Sequence, residues 1–184
     1  MPFEFEKVSV IPDLVIIKPR IFTDERGWFL ESFKAREFSK YGISENFVQD
    51  NHSRNTQKGI IRGLHFQLNP HAQGKLVRCV SGKVFDVALD IRKKSPTYGT
   101  WFGVELSCEN HMMLWIPPGF AHGYCTLTEI SEVFYKQTQE YNAQAERVIQ
   151  WNDPRIGIKW NISHPIISEK DKIAPLLAQV ENNF

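Results

Sequence analysis

Long apolar runs are missing from this chain. None approaches the ~20 residues that a helix needs to cross a bilayer, so no membrane partner is expected. An excess of one charge is missing too: 22 Lys and Arg stand against 21 Asp and Glu, a formal net charge of +1. That balance leaves neither a basic footprint for nucleic acid nor a polybasic arm for a lipid surface. Cysteine is scarce. Cys79, Cys108 and Cys125 are odd in number, sit in strand-like stretches and form no CxxC pair, which reads as buried thiols in a reducing cytoplasm. The first twenty residues lack the basic start, apolar stretch and small-residue cleavage site of a secretory signal, and this too predicts a cytoplasmic location. Internal repeats, low-complexity segments, linker-like composition and βαβ alternation are all absent, which argues against a parallel sheet. A single domain over 1–184 is the expectation, long enough to bury a sizeable core.

What the chain does have is strand pattern. In VFDVALDI, residues 84–91, Phe85, Val87, Leu89 and Ile91 alternate with Asp86, Ala88 and Asp90. A period of two sets one strand face in a core. LVRCVSG, TWFGVELS, HMMLWIP and EVFYKQT read the same way. Breaks at Ser81-Gly82, Ser95-Pro96 and Glu109-Asn110 recur at roughly the spacing of a sandwich or barrel. Phe3 to Ile21 reads as short strands interrupted at Pro12 and Pro19, the first able to pair with its own sheet or with a second copy's. A turn at Arg26-Gly27 leads into a further strand. Helix is expected in two places only. One is KAREFSKYG (34–42), where Ala35, Phe38 and Tyr41 repeat every three residues ahead of Gly42. The other is SEKDKIAPLLAQV, in short pieces around Pro175. The fold expected is all-β, a jelly-roll sandwich or barrel with short peripheral helices.

Residues able to do chemistry gather in four stretches. KGIIRGLHFQ delivers Arg62, His65 and Gln67. If Leu64 and Phe66 point one way on a strand, His65 and Gln67 point the other, and a bend at Gly63 is needed to bring the ends of Arg62 and His65 together. AQGKLVRCV adds Lys75 and Arg78, WIPPGFAHGY adds His122, and EVFYKQT adds Tyr135, a phenol that needs a hydrogen-bond partner in a cavity. One histidine in a β protein is ordinarily structural, and one lysine at a strand's start is ordinarily solvated. The basic and amide groups clustered around His65 argue for more at that position. Two stretches also resemble the paired motifs of cupin metal sites. Pro117, Gly119 and His122 complete the second motif. Gly59 and His65 begin the first, but Gln67 stands where a second histidine belongs, and no glutamate follows before Lys75. An amide and an ammonium replace two metal ligands, so no metal is expected.

Taken in order, TDERGWFLESF, FVQDNHS, IRGLHFQ, QGKLVRCVSGKVFDVALDIRKKSPTYG, WIPPGFAHGY, YKQT and WNDPRIGIKW with SEKD resemble the dTDP-4-dehydrorhamnose 3,5-epimerases, a metal-free branch of the cupins, over nearly the whole length. The resemblance implies a cupin-type jelly roll, a homodimer and no cofactor. It implies a dTDP-linked 4-keto-6-deoxyhexose as substrate, inverted at carbons 5 and 3. By position it makes His65 the base beside the ketone, Asp171 its carboxylate partner, Lys75 the group at the keto oxygen and Tyr135 the acid on the other face of the ring. It places Arg26, Phe29, Glu31, Gln49, Asn51, Arg62, His122, Glu146 and Lys170 in substrate binding.

The residue types suit that chemistry. Enolate charge is stabilised far better by a fixed ammonium in a dry cavity than by water. An imidazole titrates near neutral pH, and a carboxylate orients it. Inversion requires a second acid on the opposite face, and arginines suit a diphosphate. One departure stands out: Glu140 occupies the position where several family members carry a tyrosine that stacks on thymine, and continued strand alternation would turn Tyr141 away, so base recognition is expected either to be weaker or to fall to Phe29 or Trp28. Two alternatives remain: an enzyme inverting one carbon of a related nucleotide sugar, with Tyr135 favouring carbon 5, and a metal-binding cupin.

Overall fold

The computed structural model describes residues 2–184. In chain order the elements are β1 (Phe3–Val8), β2 (Ile11–Pro19), β3 (Ile21–Asp24), β4 (Gly27–Leu30), α1 (Ala35–Ser39), β5 (Gln49–Asn55), β6 (Ile60–Gln67) and β7 (Lys75–Ser81). They continue with β8 (Lys83–Asp90), β9 (Trp101–Ser107), β10 (Met113–Ile116), β11 (Phe120–Thr126), β12 (Ser131–Gln137), β13 (Glu146–Val148), β14 (Ile166–Ile167) and α2 (Glu169–Lys172). One sheet runs β1-β2-β10-β7-β12-β5, and the second runs β13-β6-β11-β8-β9 with β14 added beside β6. β3 and β4 form a separate hairpin. Apart from the short parallel β14–β6 pair, every pairing is antiparallel. The two sheets face one another as a jelly roll, the expected class.

Three apolar layers hold this arrangement. Between the sheets, Leu14, Val77, Leu114 and Val133 from one side meet Val84, Ala88, Leu106 and Phe120 from the other, all buried. The outer face of the second sheet packs Ile61, Leu64, Phe66, Val87 and Leu89 against Ile149, Ile156 and Trp160 of the later chain. The outer face of the first sheet packs Ile17, Leu76 and Trp115 against Phe38 of α1 and Ile43. β8 therefore buries both faces rather than the single face its alternation suggested. Asp86 and Asp90, which pattern alone would leave outside, are fully buried on its inner side.

Three local expectations need correction. Pro12 does not interrupt a strand: the turn falls at Ser9-Val10, and Pro12 sits just past the register shift between β1 and β2, where no ladder partner calls on its missing N–H. β1 pairs with β2 of its own sheet. The first helix is shorter than expected, at five residues, while α2 is one short piece of four residues that ends before Pro175, and Cys108 lies in the turn after β9 rather than in a strand.

Two irregularities aim the site. Pro117, Pro118 and Gly119 carry the chain from β10 in one sheet to β11 in the other, with Gly119 at φ +91° and Arg92 packed where a β-carbon would stand. In β6, two residues, Gly63 and Leu64, oppose the single Gly123 of β11, because His65 pairs with His122 and Arg62 with Tyr124. This β-bulge lets Arg62 and His65, three residues apart, face the same side. Gly63 has φ +120°, and a β-carbon there would lie 2.6 Å from the Gly123 Cα. Gly63→Ala is expected to cost about 2 kcal/mol or more through strain and backbone clash, seen as a lower urea midpoint. It should also depress activity by shifting His65.

Candidate active site

The same parity that builds the inter-sheet core supplies the site. On β7, Val77 and Cys79 belong to the core, and Lys75 continues their row; on β12, Val133 is followed by Tyr135 and Gln137. On β11, Phe120 is followed by His122 and Tyr124, and on β6 His65 and Gln67 share the inner side. At one end of the sandwich these rows change from apolar to polar and enclose a cavity of about 250 Å³. The first sheet contributes Asn51, Lys75 and Tyr135. The second contributes Arg62, His65, His122 and Glu146.

His65 Nε2 lies 2.8 Å from Asp171 Oδ1. Asp171 is buried at the inner side of α2, accepts the Gly63 N–H at 3.3 Å and donates its own N–H to the Ser168 N-cap hydroxyl at 3.2 Å. Burial pushes the Asp171 carboxyl up, but the His65 hydrogen bond and charge, with Gly63 and Ser168, outweigh it and hold the group below the usual carboxylate range. An ionised Asp171 accepts the Nε2 proton and leaves Nδ1 of His65 as the nitrogen free to take another.

Lys75 is 6% exposed and donates to the His65 carbonyl at 3.3 Å. Burial pushes its ammonium down to about 8, while the charges of Asp86 and Glu146 pull the other way. Tyr135 Oη accepts from Asn51 Nδ2 at 3.2 Å, and its ring meets His122 edge-on at 6.2 Å. Gln49 donates to Asn51 at 2.8 Å and to Gln137 at 2.8 Å, so an amide network holds the Tyr135 side of the cavity. Arg62 donates to Asn55 at 2.9 Å.

At the cavity mouth, Glu146 accepts from the Tyr141 hydroxyl at 2.9 Å and from Lys170. Burial raises the Glu146 carboxyl, but these two donors hold it below its ordinary range. Here the structure corrects the reading of Glu140. β12 ends at Gln137 and the chain turns, so strand alternation does not extend to residue 140. Tyr141 lines the cavity, anchored by its N–H to Gln49 at 2.8 Å, while Glu140 is exposed.

Arg26, Phe29 and Glu31 do not line this cavity. Arg26 is paired with Asp24 at the tip of the β3–β4 hairpin, Phe29 is 66% exposed and Glu31 contacts Lys34. The sequence reading missed Asp86, Tyr124 and Ser53. Asp86 Oδ2 is 2.9 Å from His122 Nε2, and Ser53 Oγ is 2.8 Å from Tyr124 Oη. Tyr124 was within reach, two residues after His122 on the same strand face. Asp86 was hidden by its resemblance to a solvent-side residue. As for the cupin motif, Gln67 is engaged with the His71 and Glu140 carbonyls and the Asn142 N–H. Among the described residues, no three His, Cys, Asp or Glu side chains come together as a ligand set.

A jelly roll with an imidazole on one sheet, bonded to a carboxylate from α2 and facing a tyrosine and a buried lysine on the other sheet, defines a protein equipped for proton transfer in a polar cavity. Comparison with known proteins narrows this. The family model for dTDP-4-dehydrorhamnose 3,5-epimerase matches residues 9–179, and the chain belongs to that family. It is 56% identical over 162 residues to the dTDP-4-dehydrorhamnose 3,5-epimerase of Shigella flexneri, covering 88% of this chain and 89% of that one. Among solved structures it resembles the dTDP-6-deoxy-D-glucose-3,5-epimerase of Legionella pneumophila in complex with dTDP-4-keto-L-rhamnose. That match has a TM-score of 0.92 and 46% identity, over 96% and 94% of the two chains. It also resembles a histidine-and-tyrosine double mutant of a 3′-monoepimerase from Streptomyces bikiniensis in complex with dTDP, with a TM-score of 0.84 and 28% identity over 90% and 83%.

The buried ammonium makes a checkable demand. The folded chain releases the Lys75 proton near pH 8, whereas an unfolded lysine holds it to about 10.4. Between those values the unfolded state binds more protons, so this group's contribution to stability rises with pH, and at pH 7 it is a cost. Lys75→Met is therefore expected to raise stability at pH 7 by about 1–3 kcal/mol in urea titrations while lowering kcat. For the unmutated protein, kcat/KM should fall as pH rises through about 8.

Proposed function

We propose that this chain epimerises dTDP-4-dehydro-6-deoxy-D-glucose at carbons 3 and 5 to dTDP-4-dehydro-L-rhamnose, in dTDP-L-rhamnose biosynthesis. Family membership supports the reaction class. The observation that carries the residue roles is the placement of His65, bonded to Asp171 of α2, and Tyr135 on opposite sheets across one cavity, with Lys75 buried beside them. His65 takes the proton from the carbon next to the ketone. The C–H electron pair moves into the new carbon–carbon double bond, and the carbonyl pair moves onto oxygen as an enolate. Lys75 stabilises that oxygen as charge develops, which helps the transition state more than the ground state. At carbon 5, Tyr135 delivers a proton to the opposite face, the enolate collapses to the ketone, and the tyrosinate recovers a proton as His65 releases the one it took. The ketone is the electron sink throughout.

Substrate contacts follow from position. Arg62, Asn51 and His122 border the sugar end of the cavity, with Gln49 behind Asn51 and Gln137, and Glu146 with Lys170 borders the mouth. Tyr141 offers a ring for the base. Arg26 and Phe29 stand apart on the β3–β4 hairpin, with Glu31 just beyond it, and the hairpin exposes the cross-strand pair Phe22 and Phe29, an apolar patch of a kind that suits a protein interface. A homodimer, each hairpin reaching the neighbouring subunit's cavity, accounts for both facts. Sedimentation equilibrium should give twice the chain mass, and Phe29→Ala should raise KM while changing kcat less. The free thiols of Cys79, Cys108 and Cys125 favour the cytoplasm.

A second reading, inversion at one carbon, has a specific observation behind it. The histidine and tyrosine replaced in the Streptomyces bikiniensis 3′-monoepimerase are 70 residues apart, the separation of His65 and Tyr135. A tyrosine at this position therefore does not by itself distinguish double from single inversion. Proton NMR of the substrate in deuterated water decides: loss of both the carbon 3 and carbon 5 signals is expected, and exchange at one alone establishes the second reading. His65→Ala should abolish exchange at both carbons. Tyr135→Phe should spare exchange at carbon 3 more than inversion at carbon 5.

A further inference from the structure

Asp86 has no part in the roles assigned so far, yet it is the most unusual group near the cavity. Its side chain is fully buried on the inner side of β8, between Val84 and Ala88 of the inter-sheet core. One oxygen lies 2.9 Å from His122 Nε2, and the other is the single buried side-chain polar atom among the described residues with no partner. A carboxylate buried with an orphaned oxygen is costly, and an apolar residue would serve the core better. His122 pairs directly with His65 across β6 and β11, while Asp86 sits diagonally from it on β8.

We propose that Asp86 is a positioning residue for the epimerisation: its carboxylate fixes His122 as the Nε2–H tautomer, with Nδ1 left to meet the sugar. The proposal rests on the epimerase reading. The titratable and charged groups around Lys75, which lines the same cavity as His122, are Asp86 from β8, Glu146 from β13, Arg62 and His65 from β6, His122 and Tyr124 from β11, Tyr135 from β12 and Tyr141 beyond it. Of these, Asp86 and Glu146 favour the charged lysine, Asp86 the more strongly. Glu146 is already engaged by Lys170 and Tyr141, which leaves Asp86 as the anion whose second oxygen is uncommitted.

The test is Asp86→Asn, which keeps shape and removes charge. With the dTDP-4-keto substrate, kcat is expected to fall about 100-fold, as for a misplaced catalytic group, with KM changing far less. An unchanged kcat, or a loss confined to KM, overturns the proposal. Should the variant fail to fold, nitrogen-15 NMR of the unmutated protein decides: a His122 ring protonated at Nε2 and bare at Nδ1 upholds the proposal, and the reverse tautomer overturns it. An unmutated protein that exchanges no deuterium into substrate would instead overturn the epimerase reading, on which the tautomer measurement does not depend.

Discussion

The arrangement depends on keeping an ammonium between two β-sheets. Lys75 continues the row of Val77 and Cys79, so the packing that buries those side chains also strips water from the lysine. That desolvation pushes the group down to about 8, and on the proposed mechanism it suits the lysine to its task, because a charge in a dry, preorganised site acts on a developing enolate without solvent reorganisation. The same burial is a stability cost that the rest of the fold must offset. The three apolar layers, each continuous across several strands, supply the offset. The catalytic end is thus the polar continuation of the core, and its side chains inherit the rigidity of strands.

Placing His65 beside that lysine needs a departure from regular pairing. Strict alternation on β6 would send Arg62 and His65 to opposite sides. The bulge at Gly63 and Leu64 opposite Gly123 brings both inward, and the tight approach of the two backbones there admits only glycine. The Gly63 N–H freed from regular pairing is used again, donating to Asp171 at 3.3 Å. One local irregularity therefore sets the direction of His65 and helps orient the carboxylate bonded to it.

This division explains what could be read from the sequence. Period-two alternation located the strands around residues 76–82, 84–91, 100–107 and 132–138, and parity placed His65 opposite Leu64 and Phe66. Alternation describes one strand and does not report what covers each face. Asp86 and Asp90 were accordingly hidden, since only the outer layer of later chain around Ile156 and Trp160 makes both sides of β8 interior. Alternation also fails where a strand ends, as at Gln137, so the orientation of Tyr141 was out of reach. Pro12 misled because a proline disrupts a ladder only where its N–H would have been used. Helix α2 was visible as a helical stretch, but its function is to present Asp171 to a histidine 106 residues earlier in the chain, which no local pattern encodes.

Charge explains why one chain's cavity is incomplete on the proposed reading. Arg62, Lys75 and Lys170 balance Asp86, Glu146 and Asp171. Lys170 is bound to Glu146, Arg62 donates to Asn55, and Lys75 donates to the His65 carbonyl. A nucleoside diphosphate brings negative charge, and binding it here means either breaking the Lys170–Glu146 pair or recruiting a cation from elsewhere. Arg26 fits the second route. It is held only by Asp24 at an exposed hairpin tip, beside aromatic side chains that lack a covering layer within the chain. An interface that buries those rings would bring the guanidinium with them, so the force that assembles two subunits would also supply the charge that each site lacks.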